Sequence, residues 1–443
     1  MLWSAKPLFC QVFINRMRLL AFFFCFLSFS LLSISNQAQT TLSLQQTLRQ
    51  VRENSPALRV ERFNINAAQA DQITANLRPN PVLNNQTLFQ LTPTPGAENV
   101  SMLSRQRRQF WLQATKEFDI YNKRAYRSRF AEANTNLATR SLAETERNLL
   151  FDAANQFLDA WYARIQLALL QRAKSNVDTL VQLNKVRLKN LVITTTDLTR
   201  TQLISDQYEI QTRTAQLELR NRLNELRLML GRTDSINVLM SDSIIHPLFS
   251  NPLGLYPTVT ASEDSLLQAA ASNRTDVRVA EANVEAARQN ANLQQVLAKP
   301  RNEAGLIWNP QNAIPYAGVF LTLELPVYNR NQGEIQKSRV LQEQAGQAAA
   351  LVQVRVRAEV ETAYRSFVSS RQNVNRYVDI RRDADRVLAS VRYAYLRGAT
   401  TLIDLLQAES SWFDTQTAYY QILYTYRQNY VRLLYVTGQI NTY

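Results

Sequence analysis

Two hydrophobic rhythms divide the chain. From Asn122 to about Asn190, apolar residues recur every seven positions: Phe151, Leu158 and Ile165, interleaved with Tyr162 and Leu169. That spacing predicts a helix with a coiled-coil-like seam. At 1.5 Å per residue such a helix would be about 100 Å long. Shorter runs alternate instead. In "FWLQATKEF", Phe110, Leu112, Ala114 and Phe118 face one way, with Lys116 as the exception, and Trp111, Gln113, Thr115 and Glu117 face the other. In "YAGVFLTLEL", Ala317, Val319, Leu321, Leu323 and Leu325 oppose Tyr316, Gly318, Phe320, Thr322 and Glu324. Runs of ~10 residues with one apolar face suit transmembrane barrel strands. A sheet packed on a soluble core has the same period.

The pattern occurs twice. "NSPALRVERFNINAAQADQITANLRPNP" (Asn54–Pro81) reads against "NRTDVRVAEANVEAARQNANLQQVLAKP" (Asn273–Pro300), and "KEFDIYNKRAYR" (Lys116–Arg127) against "LELPVYNRNQGE" (Leu323–Glu334). Each half predicts one order of elements. First comes a helix of about 35 residues (Leu42–Leu77, Asp264–Leu297), ended by proline. Two strands follow, then a long helix (Asn122 to about Asn190, Asn331 to about Leu396). After a short turn comes a last helix (Leu198–Leu230, Leu402–Val436) that stops at Gly231 or Gly438. The predicted division is residues 39–231 as a first repeat, 232–262 as a Pro-rich linker and 263–443 as a second repeat. The fold class is mainly α with β.

Composition agrees with elongation. Nine glycines in 443 residues is far below the usual ~7%, and no proline lies between Pro95 and Pro247 or after Pro326. Both tracts have room for very long helices. Residues 1–38 read as a secretory signal peptide: Arg18, then an apolar run Leu19–Leu32, then small or polar residues up to Ala38. Met17 is an alternative start. Both cysteines, Cys10 and Cys25, fall in this leader, so the mature chain would have no thiol and no disulfide. The net charge of +14 is spread over helix surfaces among acids. With no clustered basic face and no recognisable module, nucleic-acid binding is not expected.

Chemistry is sparse. His246 is the only histidine, which excludes most zinc and triad arrangements, and there is no Gly-rich phosphate loop. No enzyme activity, cofactor or bound metal is expected. Strand arithmetic is more informative. Four strands cannot close a membrane barrel, since the smallest have eight, and open edges in lipid cost several kcal/mol per group. Two copies give eight strands with a filled interior. Three give twelve, the smallest assembly with a lumen.

The duplicated architecture, "ELPVYNRNQGEI" after the fourth strand, and "YLRGATTLIDLLQAES" together resemble the TolC-type outer-membrane efflux proteins, across about residues 40–438. Within that family the cation and heavy-metal branch (CzcC- and CusC-like) is one candidate relative. The resemblance implies a homotrimer in the outer membrane of a Gram-negative bacterium. It implies a twelve-stranded transmembrane β-barrel set in outer-membrane lipid above an α-helical tunnel crossing the periplasm. The tunnel would dock to a periplasmic adaptor and an inner-membrane pump. Cations, heavy metals or drugs are the implied cargo. A type I secretion duct is the alternative within the class, and a non-conducting periplasmic adaptor or scaffold the alternative outside it.

The same resemblance picks out residues. Asp404 matches an aspartate ring that constricts the periplasmic mouth, where three carboxylates would favour cations. Asp197 is its counterpart in the first repeat. The bland reading is that Asp404 caps the helix after the turn. Tyr395 matches a tyrosine that latches the tunnel shut through an acid in the first-repeat turn, here Asp197. The glycine of the second turn, Gly398, is replaced by Leu191 in the first. Tyr121, Asn122, Pro326, Tyr328 and Asn329 are read as structural punctuation where strand becomes tunnel helix. Arg105, Arg107 and Arg108 sit in the first external loop, as phosphate partners or as a solvated cluster. The tyrosines of the last helix are read as packing.

Overall fold

The computed structural model describes residues 40–92, 99–239, 262–311 and 314–442. The leader with Cys10 and Cys25, and most of the linker with His246, lie outside the described residues.

The elements run β1 (Thr40–Leu42), α1 (Leu44–Asn54), α2 (Pro56–Asn76), β2 (Val82–Phe89), β3 (Arg108–Phe118), α3 (Lys123–Lys189), α4 (Thr195–Met229) and β4 (Ile236–Val238). The second half repeats the helical order as α5 (Glu263–Asn273), α6 (Thr275–Leu297), β5 (Asn302–Trp308), β6 (Ala317–Leu323), α7 (Gln332–Leu396) and α8 (Leu402–Val436).

The first helix of each half is two helices, not one of about 35 residues. In the first half the cause is Pro56, which forces Ser55 into an extended conformation (φ −56°, ψ 127°) and then starts α2 as its first residue. In the second half Arg274 takes nearly the same conformation (φ −67°, ψ 127°) without a proline. Its buried guanidinium instead bonds Asp276 and Glu359. The breaks have a packing purpose. Gly231 and Gly438, both at positive φ, end α4 and α8 against them: a Cβ on Gly231 would touch Pro56, and one on Gly438 would meet the Asn273 backbone at 2.8 Å.

The predicted linker begins with structure of its own. Its first residues pack: β4 pairs in parallel with β1 (Thr40 with Ile236, Leu42 with Val238), and Val238 is fully buried.

The long helices pack side by side as a wall. In one half of its length the order is α2–α3–α6–α7, and in the other α4–α3–α8–α7. One core runs through it, with Phe157, Leu158 and Trp161 of α3, Val360 and Phe367 of α7, and Leu423 and Tyr426 of α8. Leu158, Ile165 and Leu169 of the predicted seam are buried, while Tyr162 stacks on Tyr424 and Phe151 packs at a tilt against Tyr435. Tyr419, Tyr426 and Tyr430 of α8 are buried in this core, in line with the packing role read for them. No helix among the described residues is long and apolar enough to cross a membrane.

The four long strands form one antiparallel sheet in the order β2-β3-β5-β6. Register places Leu83, Ala114, Leu306 and Val319 in one row, and Leu112, Trp308 and Ala317 in a neighbouring row on the same face. The opposite face has Asn84, Gln113, Thr115, Glu117, Glu303 and Thr322. The apolar face is bare: Leu83, Leu306, Val319, Leu321 and Leu323 are all exposed. Gly305 sits where a Cβ would lie 2.1 Å from the Ala114 carbonyl oxygen, so β5 approaches β3 there only because the side chain is missing.

Strand-to-helix corners differ between halves. Asn122 is the residue before α3 and takes a left-handed conformation (φ 57°). Its counterpart by conformation is Asn331 (φ 57°), the residue before α7, and not Asn329, which it matches by sequence. The side chain of Asn329 instead accepts from the Asn331 N–H and sets the turn. In the first corner Asp119 caps α3, accepting from the amides of Lys123 (2.6 Å) and Arg124 (2.8 Å). Tyr121 is part-exposed and Tyr328 is 93% exposed. Pro326 follows the end of β6.

Candidate functional site

The two turns between long helices are built on one plan. At the end of α3, the Val192 N–H bonds the Arg187 carbonyl and the Leu191 N–H bonds that of Leu188. At the end of α7, Ala399 bonds Ala394 and Gly398 bonds Tyr395 in the same way. This double closure needs a left-handed residue just past the helix. Gly398 takes it at φ 75°, while Leu191 takes it at φ 59° against its own preference.

Each following helix then starts with a reciprocal cap. Thr194 Oγ1 accepts from the Asp197 N–H (3.2 Å), and the Asp197 carboxylate accepts from the Thr194 N–H (3.2 Å). Thr401 and Asp404 repeat this at 3.2 and 3.1 Å. Each carboxylate also accepts from its capping hydroxyl, Asp197 from Thr194 (2.8 Å) and Asp404 from Thr401 (2.7 Å), and Asp404 Oδ2 alone takes one bond more, from the hydroxyl of Thr400 (2.8 Å). The hydroxyls of Thr401 and Thr400, with the Thr401 amide, hold the exposed Asp404 carboxyl below the usual aspartate range. Both aspartates are therefore helix caps in the single chain. Asp404 Oδ1 takes no bond from the described residues and is free to face other ligands.

The expected pair of Tyr395 with Asp197 is not formed. The hydroxyl of Tyr395, 3% exposed, donates to Oδ1 of Asn184 at 2.9 Å, not to Asp197. Asn184 in turn donates to Thr201 Oγ1 (3.0 Å), and Thr201 donates to the Asp197 carbonyl (2.8 Å). Tyr395 thus reaches Asp197 only through two intervening side chains, and at its backbone. The geometric reason is register: Asn184 occupies the inward row of α3 with Val177, Leu180 and Val181, whereas Asp197 is committed to its cap.

Arg187 completes the junction. Its guanidinium lies 4.5 Å from the centre of the Tyr395 ring and donates to the Tyr395 and Leu396 carbonyls, where α7 ends. A cation there complements the negative end of the helix. Further from the turn, Glu409 is nearly buried and accepts from Arg392 and, at 3.5 Å, from Asn176. Asp385 accepts from Trp412 Nε1 (2.7 Å). These contacts tie α3 to the α7/α8 pair around a small core of Leu180, Leu388, Leu402, Leu405 and Trp412.

Sequence reasoning had missed Asn184, Arg187 and Glu409. A signal for Asn184 existed: it is the polar member of an otherwise apolar i, i+3, i+4 stripe. Of the arginines between β2 and the start of β3, Arg107 is turned inward and donates to the carbonyls of Val100, Gln90 and Leu91. It holds the loop together and is not a phosphate partner. Among the described residues no group of three or more His, Cys, Asp or Glu side chains is arranged to hold a metal.

Comparison with known proteins agrees with this architecture. Residues 266–439 match the family model described as outer membrane efflux protein. No curated protein matches the chain. Among solved structures, CusC superimposes with a TM-score of 0.71 at 18% identity, covering 92% of this chain and 95% of CusC. VceC of Vibrio cholerae gives 0.67 at 16% identity, with 89% and 96% covered. The open state of MtrE of Neisseria gonorrhoeae gives 0.69 at 16%, with 89% covered on both sides.

Proposed function

We propose that this chain, an outer membrane efflux protein by the family match of its second half and by its fold throughout, is the passive export duct of a tripartite efflux system. The observation that carries this reading is a sheet and a helical wall left open along the same two edges. β2 and β6 each have a row of backbone donors and acceptors without a partner strand. Below them, α2 and α4 form one edge of the wall and α7 the other. Both edges are apolar where a monomer should be polar. Leu203, Ile210 and Leu217 of α4 are exposed at seven-residue intervals, and Val340, Leu351 and Val354 are exposed on α7.

Such surfaces fit further copies of the same chain, arranged head to tail around an axis. Strand count then selects the number. Twelve strands from three copies close every edge and leave a lumen. The bare face with Leu83, Leu306, Val319 and Leu321 then meets lipid, and the polar face lines water. That arrangement supports a barrel in the outer membrane of a Gram-negative bacterium, with the helices in the periplasm.

The turns form the periplasmic mouth, where Asp404 Oδ1 from three copies would converge as a cation-selective ring. Tyr395, through Asn184, holds the two turns of each copy together as the latch. A periplasmic adaptor would engage the helix ends, and an inner-membrane pump would supply the energy. Metal or organic cations are the cargo that an acidic mouth favours.

Native mass spectrometry of the purified mature chain in detergent tests the assembly. A trimer is expected, and Ile210→Glu with Leu217→Glu should dissociate it while leaving the helicity unchanged. A stable monomer in the unmodified chain would overturn the reading.

A further inference from the structure

A cavity of about 290 Å³ opens between α3, α4 and α8, well away from both turns. It exists because two small residues meet: Ala163 of α3 faces Ala215 of α4 where larger side chains would fill the gap. Its volume is near the lower end of the range for small-molecule sites.

The lining is chemically one-sided. Tyr162 and Tyr424 stack with ring centres 4.8 Å apart, presenting aromatic surface. Asp159 is half-buried beside them. Its Oδ1 accepts from the Tyr424 hydroxyl, but Oδ2 receives no donor, and no lysine or arginine among the described residues pairs with it. Tyr424 is itself held in place by Gln428 (2.6 Å). The Tyr162 hydroxyl accepts from Gln166 (2.6 Å), which leaves its proton without an acceptor among the described residues.

The one cation on the wall, Arg222, is already neutralised by Glu218 (2.7 Å) and Glu225 (3.2 Å). The cavity therefore carries one uncompensated carboxylate, one spare hydroxyl proton and two aromatic rings. An anion would meet Asp159 and Glu218. A bare metal ion would find too few ligands, since no metal-holding group occurs among the described residues. An organic cation meets a carboxylate for its charge and aromatic surface for its body.

We infer that this cavity is a binding site for small organic cations, of the aromatic amine or quaternary ammonium class, within the helical wall. It does not depend on the chain forming a duct, because every residue it uses lies within one copy.

The test is calorimetric titration of the full chain in detergent with phenyltrimethylammonium. Saturable binding of one cation per chain is expected. Asp159→Asn removes the charge and should weaken it at least tenfold. Ala215→Leu fills the cavity without touching a polar group and should abolish it. Both variants are checked for unchanged helicity and melting. Absence of saturable binding by the wild-type chain overturns the proposal. So does binding that survives in both folded variants, which would place the cation in the micelle or elsewhere on the protein.

Discussion

At the scale of single residues, the turn is held by one buried hydrogen bond whose loss has a definite cost. Tyr395→Phe keeps the ring and its contact with Arg187 but leaves Asn184 Oδ1 buried without a donor. An unsatisfied buried group costs ~1–3 kcal/mol. Chemical denaturation should show a loss of that size, and Asn184→Leu with Tyr395→Phe should recover part of it. Glycines give a second comparison. Gly398 has open space around it, so alanine there meets only the backbone penalty of a left-handed conformation, ~1–2 kcal/mol. Gly438 has the same conformation and also abuts Asn273, so Gly438→Ala should be the more destabilising of the two in the same assay. The glycines and Tyr395 were visible in the sequence as a repeated stop signal and a family position. Asn184 was not, because which polar residue a buried tyrosine finds depends on how α3 and α7 are rotated against each other, and no local pattern encodes that.

At the scale of elements, the best-read features were those with a long period. The sequence placed α3, α7 and α8 within a residue or two, because sixty residues without proline leave helix little competition. Breaks proved harder. Ser55–Pro56 had a proline to announce it, whereas the break at Arg274 coincides with a buried guanidinium paired to Asp276, two residues on, and to Glu359 of α7. Those pairs predict a pH dependence. Burial pushes the Asp276 carboxyl up, but the hydrogen bond from Arg274 and the charges of Arg147 and Arg274 outweigh it and hold the group below the usual range. A carboxyl lowered on folding stabilises above its unfolded pKa of ~3.9, and that contribution disappears as pH falls through the lower folded value. Melting should therefore be flat in this respect from pH 7 to about 5 and fall below about 4. Asp276→Asn should flatten that fall and cost ~3 kcal/mol at neutral pH by leaving Arg274, 2% exposed, short of a partner. Thermal melts of both proteins across pH 3–7 check this.

At the scale of the whole molecule, the account rests on edges. The alternating strands were legible, and the proposal of several copies starts from the same strand count, since four strands cannot close. The small β1/β4 pair was not legible: three-residue strands carry no readable period, and their partners lie almost two hundred positions apart. The rotation of the helices that exposes Leu203, Ile210 and Leu217 was also beyond the sequence, which showed a seam without saying whether it faced its own chain or another. The central claim is that these edges close around a conducting lumen gated at the turns. Single-channel recording of the mature protein in a planar bilayer tests it most directly, with Asp404→Asn and Tyr395→Phe beside the wild type. The account predicts discrete cation-selective openings, reduced selectivity in Asp404→Asn and larger conductance in Tyr395→Phe. Folded, helical protein that inserts and never conducts would contradict it.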